Sequence, residues 1–191
     1  MQSEFQKIFQ EIQADPDNES FTKQGIKPLY YASSSARINI IGQAPGRIAQ
    51  EKIKFWDDPS GNLLKDEDHN NSGMIAILPM DFYYPGKGKS GDLPPRKGFA
   101  QNWHPQLLKL MPDIQLTILV GAYATRRYLH LRYKDRLTDI VRNYQQYLPD
   151  YFPIVHPSPR NRIWEAKNPW FEEQVIPDLQ RRIQIALNKQ E

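Results

Sequence analysis

Ile38-Asn39-Ile40-Ile41-Gly42-Gln43-Ala44-Pro45-Gly46 opens on an apolar, β-branched run and breaks into a turn of Gly and Pro. A run this short, bounded by such a turn, reads as a buried strand. Far downstream, Tyr151-Phe152-Pro153-Ile154-Val155 runs into His156-Pro157-Ser158-Pro159 in the same way. Between them, Met74–Leu78 stops at Pro79 and Leu116–Val120 stops at Gly121. Segments at helical spacing separate these strands. Strands alternating with helices predict the α/β class, as a three-layer α/β/α sandwich around a four-stranded, mostly parallel central sheet. Loops leaving the carboxyl ends of such strands converge on one crevice, so the two special turns are expected to face a common pocket.

The remaining periodicity fills in the helices. Phe5, Ile8, Phe9 and Ile12 predict an amphipathic helix over 2–14, ended by Asp15-Pro16-Asp17-Asn18. Helices are also expected over 46–54, 61–68, 101–111, 122–132, 135–147 and 168–188. Asp81 to Phe99 is a long irregular stretch rich in Gly, Pro and basic residues, and loops of that length in compact domains are usually functional. The 191 residues, 39% of them hydrophobic, suit one domain: an N-terminal helix and connection over 1–36 and a core over 37–188.

Composition narrows the function. There is no cysteine, which excludes disulfides, thiolate catalysis and Cys-ligated zinc or iron–sulfur clusters. No stretch approaches the roughly 18 consecutive apolar residues of a membrane span, and Met1-Gln2-Ser3-Glu4-Phe5 does not read as a secretory leader. A cytoplasmic monomer without metal or other cofactor is the expectation. The net charge of +3 is only mildly basic, but the charge is clustered. Lys87, Lys89, Arg96 and Lys97 share the long loop and Arg160 and Arg162 flank the late turn, whereas acids gather at Asp66-Glu67-Asp68 and Glu172-Glu173. A basic loop beside the expected crevice suits a phosphate backbone.

Three motifs, in order, carry a resemblance: Gly42-Gln43-Ala44-Pro45-Gly46, then Trp56-Asp57-Asp58-Pro59-Ser60-Gly61, then His156-Pro157-Ser158-Pro159-Arg160-Asn161. Together they resemble the uracil-DNA glycosylase superfamily, in an atypical bacterial-type branch without an iron–sulfur cluster. Ala44 stands where the best-known branch has its water-positioning aspartate. The resemblance implies a DNA glycosylase that hydrolyses the N-glycosidic bond of uracil, or of another deaminated base, to start base excision repair.

That reaction leaves positive charge on the sugar and negative charge on the departing base. It needs a donor aimed at a base carbonyl, a carboxylate near the sugar, a positioned water and an extruded base. His156, held between a strand and Pro157, is the expected donor. The resemblance implies that Asp58, two residues before Ser60-Gly61, serves the water, and a register shift of one would give that role to Asp57. Gly42, Gln43 and Ala44 are expected to bind the base through close backbone approach and N–H donation, and Phe55 and Trp56 to stack on it. Arg160 is placed by the resemblance where a side chain fills the gap left by the flipped nucleotide. Lys87, Lys89, Arg96, Ser158 and Asn161 join it as expected DNA contacts. His69, His104 and His130 have no such setting and read as structural. Two rival functions remain: a homologue that binds damaged or modified DNA without cleaving it, and a hydrolase of free nucleosides, which leaves the basic loop without a role.

Overall fold

The computed structural model describes residues 2–52 and 73–188. The helix expected over 61–68 lies outside them. Among the described residues, strands β1 (Ile38–Ile41), β2 (Ile75–Ile77), β5 (Leu116–Val120) and β6 (Tyr151–Ile154) form one sheet in the order β2-β1-β5-β6. Every pairing in it is parallel, with Ile38 beside both Ile75 and Leu116, and Thr117 beside Tyr151. Strand β1 is followed by β2 on one side and flanked by β5 on the other. The winding therefore reverses between β1 and β5, the place where open α/β sheets bind ligands.

Side chains alternate across the sheet with the period of two that a pleated strand imposes. Ile38, Ile40, Ile118, Val120, Phe152 and Ile154 face a core shared with Val141, Phe171, Val175 and Leu179. These come from α6 (Leu137–Arg142), a π turn (Phe171–Val175) and α8 (Ile176–Asn188). Ala76 and Leu78 face the other side, against Ile8 and Ile12 of α1 (Gln2–Ala14) and Trp103 and Leu107 of α4 (Phe99–Leu108). Ile41 and Leu119 share that side with Ala124 of α5 (Gly121–Tyr128). Helices on both faces of a parallel sheet make the expected three-layer sandwich.

Several boundaries differ from the expectation for local reasons. The stretch 135–147 divides into α6 and a 3-10 turn (Tyr144–Tyr147), and the last helix opens with the π turn rather than at residue 168. Short helices α2 (Glu19–Lys23) and α7 (Arg162–Lys167) are too brief to print a clear period, whereas α3 (Arg47–Lys52) falls within the stretch expected to be helical over 46–54. The irregular stretch contains a small hairpin, β3 (Lys87–Gly88) with β4 (Gly91–Asp92), turned at Lys89-Ser90.

One polar contact ties this stretch down. Asp81 is fully buried, and Arg96 Nε and Nη2 donate to its two carboxylate oxygens at 2.8 and 2.9 Å. Backbone N–H groups of Tyr83 and Arg96 complete the shell at 3.1 Å each. The guanidinium lies 4.9–5.5 Å from the ring centroids of Phe99, Phe21 and Tyr83. Its Nη1 reaches Asp17 O and Asn18 Oδ1 at 3.0 and 2.9 Å, beside α2. Arg96 was expected to contact DNA; its side chain instead turns inward, and its hydrogen-bonding nitrogens are spent within the fold. Asp81→Ala strands that guanidinium and two backbone donors, so it should cost about 3 kcal/mol of stability. A loss under about 1 kcal/mol in urea denaturation would refute this assignment.

Candidate active site

The sharp turns after β1 and β6 meet at the reversal point of the sheet. A cavity of about 420 Å³ opens there, lined by Gly42, Gln43, Ala44, Pro45 and Gly46 from the first turn and His156, Ser158 and Arg160 from the second. Val120 at the end of β5 joins them, as do Pro79 and Pro85 after β2 and Asp92 and Leu93 of the hairpin. A volume of this size falls in the range of small-molecule sites.

The first turn is held from behind. Met80 N donates to Gly42 O at 2.9 Å and Asp81 N to Gln43 O at 3.2 Å, continuing the line begun by Leu78 N and Ile40 O. Among the described residues, the backbone N–H groups of Gln43 and Ala44 have no hydrogen-bond partner. A Cβ added at Gly42 would meet no protein atom within 4 Å. Packing inside the protein therefore does not demand glycine there, and the bare backbone is left to whatever enters the cavity.

The second turn fastens itself. Ser158 Oγ accepts from Arg160 N at 3.2 Å, capping a 3-10 turn at Pro159–Asn161. The Asn161 side-chain amide donates to the His156 carbonyl. His156 and Arg160 themselves stand exposed at the cavity. Close by, Gly121 begins α5 with φ +84°, and a Cβ there would lie 3.6 Å from His156 Cβ. A side chain at 121 would be strained by its backbone, while its Cβ would meet the histidine only in ordinary van der Waals contact. Ser158 and Asn161, expected to contact DNA, thus have their own work in shaping the loop.

Pro79, on the cavity wall, is anchored by a buried histidine. His104 Nε2 lies 2.7 Å from Pro79 O, and Nδ1 lies 2.6 Å from the Tyr128 hydroxyl. A carbonyl only accepts, so Nε2 carries the proton and Nδ1 accepts from Tyr128. Burial pushes the His104 imidazole down to about 4 and raises the Tyr128 phenol. The structural reading of His104 is the one its surroundings support.

Of the residues expected at the site, Gly42, Gln43, Ala44, His156, Ser158 and Arg160 are brought together. Lys87 and Lys89 sit on the hairpin that contributes Asp92, with Lys87 directly across from it. Phe55, Trp56, Asp57 and Asp58 lie outside the described residues. Asp92 was missed, although Gly88-Lys89-Ser90-Gly91 is the kind of short glycine-flanked turn that signals a hairpin. Among the described residues no cluster of three His, Asp or Glu is arranged to hold a metal, and no helix is long and apolar enough to cross a membrane.

The sequence profile of the Uracil DNA glycosylase superfamily matches residues 28–180, a span that contains both turns and every strand of the sheet. The chain belongs to this superfamily. Membership supports, as the class of activity, a glycosylase: a hydrolase that acts on DNA. In this glycosylase fold the first and last motifs form two walls of one cavity, with the β3–β4 hairpin as a third.

The depressed imidazole has a consequence for stability. Its folded value near 4 lies below the unfolded value near 6.5, so between these values the unfolded chain binds more protons. His104's contribution is complete above pH 6.5 and is lost as pH falls toward 4, on the order of 3 kcal/mol over the whole window. Replacing His104 by Gln should flatten that part of the curve of unfolding free energy against pH. An unchanged slope would mean that other groups dominate acid unfolding.

Proposed function

We propose that this protein is a DNA glycosylase that excises uracil, or another deaminated base such as hypoxanthine or xanthine, to begin base excision repair. The reading rests on one observation: the Gly42–Gly46 turn and the His156–Arg160 turn line a single cavity at the reversal point of the sheet. The target nucleotide leaves the stack and its base enters this cavity. As the bond between C1′ and the base nitrogen breaks, its electron pair departs with the base and positive charge spreads over the sugar. An N–H of His156 donates to a base carbonyl, where negative charge grows, and the Gln43 and Ala44 backbone donors supply further stabilisation. Asp58 positions the water that attacks C1′, with Asp57 as its rival, and Phe55 and Trp56 stack on the base. Lys87, Lys89 and Arg160 hold the phosphate backbone and the opened duplex. The enzyme acts as a cytoplasmic monomer and needs no metal or other cofactor.

A second reading has an observation of its own. Ala44 lines the cavity and brings no acid to it, which suits a protein that binds damaged or modified DNA without cutting the glycosidic bond. Oligonucleotides carrying uracil, hypoxanthine or xanthine, scored for abasic sites by alkaline cleavage, decide between the two. Excision of at least one supports the enzyme. Selective binding without excision supports the other. Asp58→Asn should slow excision by roughly two or more orders of magnitude while binding changes little, and His156→Ala by on the order of a hundredfold. Full activity of Asp58→Asn with a dead Asp57→Asn would move the water-activating role by one residue.

Arg160 admits a separate test. If its side chain fills the gap left by the flipped nucleotide, Arg160→Gly should weaken excision from duplex far more than from single strands, which have no stack to hold open. Loss of a phosphate contact alone would weaken both and lower the salt slope of binding by about one. Equal losses on the two substrates would leave Arg160 as a backbone anchor.

A further inference from the structure

We propose that Asp92 is a specificity-determining residue that reads the ring N–H of the base in the cavity. This inference rests on the glycosylase reading above and extends it to the chemical class of base accepted. Among the described residues lining the cavity, Asp92 is the carboxylate; the others are Gly, Ala, Pro and aliphatic residues, Gln43, Ser158, and the basic His156 and Arg160.

Asp92 is also held in place. The Tyr84 hydroxyl donates to its Oδ1 at 3.0 Å. Tyr84 is pinned in turn, because its backbone N–H donates to Gln50 Oε1 at 2.7 Å and Gln50 belongs to α3, which follows the first motif. On the other side of the hairpin, Leu93 N donates to Gly86 O at 2.8 Å, and Asp92 pairs across from Lys87. Beyond the hairpin the chain is clamped again where Arg96 meets Asp81. A carboxylate fixed at both ends of its loop, with one oxygen oriented by a tyrosine, presents its other oxygen as a directed acceptor.

The chemistry of deamination matches that acceptor. Cytosine and adenine carry a lone pair on the ring nitrogen beside their amino group. Deamination turns the amino group into a carbonyl and the neighbouring nitrogen into an N–H donor. Uracil, hypoxanthine and xanthine all offer this lactam pair. A carboxylate only accepts, so Asp92 welcomes the N–H and opposes the lone pair, while His156 donates to a carbonyl. Asp92 is exposed in the open cavity. A base that covers it strips away water, and a base without the N–H leaves the carboxylate unpaired, which is where hydrogen-bonding sites gain discrimination. Thymine and guanine share this N–H, so their rejection falls to other walls of the cavity.

The test uses the full chain with duplexes carrying 2′-fluoro-2′-deoxyuridine or 2′-fluoro-2′-deoxycytidine, which resist excision, read by fluorescence polarisation. Single-turnover excision from an ordinary uracil duplex is followed in parallel. The unaltered protein should prefer the uridine duplex. Asp92→Ala should reduce that preference by roughly tenfold or more and slow uracil excision by roughly 10- to 100-fold, the scale of a hydrogen bond to a charged group. Asp92→Asn, whose amide can donate, should bind the cytidine duplex more tightly than the unaltered protein does. Tyr84→Phe, which keeps the carboxylate but loosens it, should show a smaller loss of preference in the same direction. If Asp92→Ala keeps the full preference for uridine, base reading by Asp92 is overturned, and slowed excision in that case would assign Asp92 to the water instead. If the unaltered protein excises nothing but prefers the uridine duplex, and Asp92→Ala loses that preference, the glycosylase reading fails while the role of Asp92 stands. An unaltered protein with neither excision nor preference would overturn both.

Discussion

The buried contact between Asp81 and Arg96 is the constraint on which the geometry of the cavity depends. Asp81 has no exposure to solvent, and a charge in that position is tolerable only with its lone pairs satisfied. Four donors from two residues of the same loop and their guanidinium do this. Because the Asp81 backbone also donates to Gln43 O, one residue couples the first motif to the long loop. The other end of Arg96 reaches Asp17 and Asn18, so the N-terminal helices become part of the same clamp.

This arrangement divides labour between rigid sheet and shaped loop. The sheet places two turns at fixed separation, since β1 and β5 are adjacent and β6 lies next to β5. The loop then supplies what a sheet edge lacks: Pro85, Leu93 and the Asp92 carboxylate on the third wall. Lys87 and Lys89 are exposed on the hairpin and are not among the residues that line the cavity, while Asp92 is. On the proposed reading, His156 on one wall and Asp92 on another form the complement of a lactam edge.

Polar groups behind the cavity serve the walls rather than the substrate. His104 and Tyr128 bridge α4 and α5 to the Pro79 carbonyl, and burial keeps the imidazole neutral over the physiological range. A neutral histidine that donates to a carbonyl and accepts from a phenol is fully satisfied without any charge. Ser158 and Asn161 play a similar part in the second turn, bonding within the loop that presents His156 and Arg160.

Local pattern was enough for the strands, because β-branched runs broken by Gly or Pro need no distant partner to be recognised, and for α1, whose Phe5, Ile8 and Ile12 mark one helical face. The order of the motifs was likewise legible, and with it the superfamily and the expectation that Gly42–Ala44 and His156 share a pocket. The sequence alone determined these because strand, turn and helix signals are short-ranged. Tertiary structure decided what each long side chain does. Arg96 reads as a surface cation until Asp81, fifteen positions away, and Asn18, seventy-eight away, are seen to hold it. Asp92 reads as a loop acid until the hairpin carries it to the cavity. A charge takes its meaning from what lies within a few ångströms of it, and that neighbourhood is made by chain segments that only folding brings together.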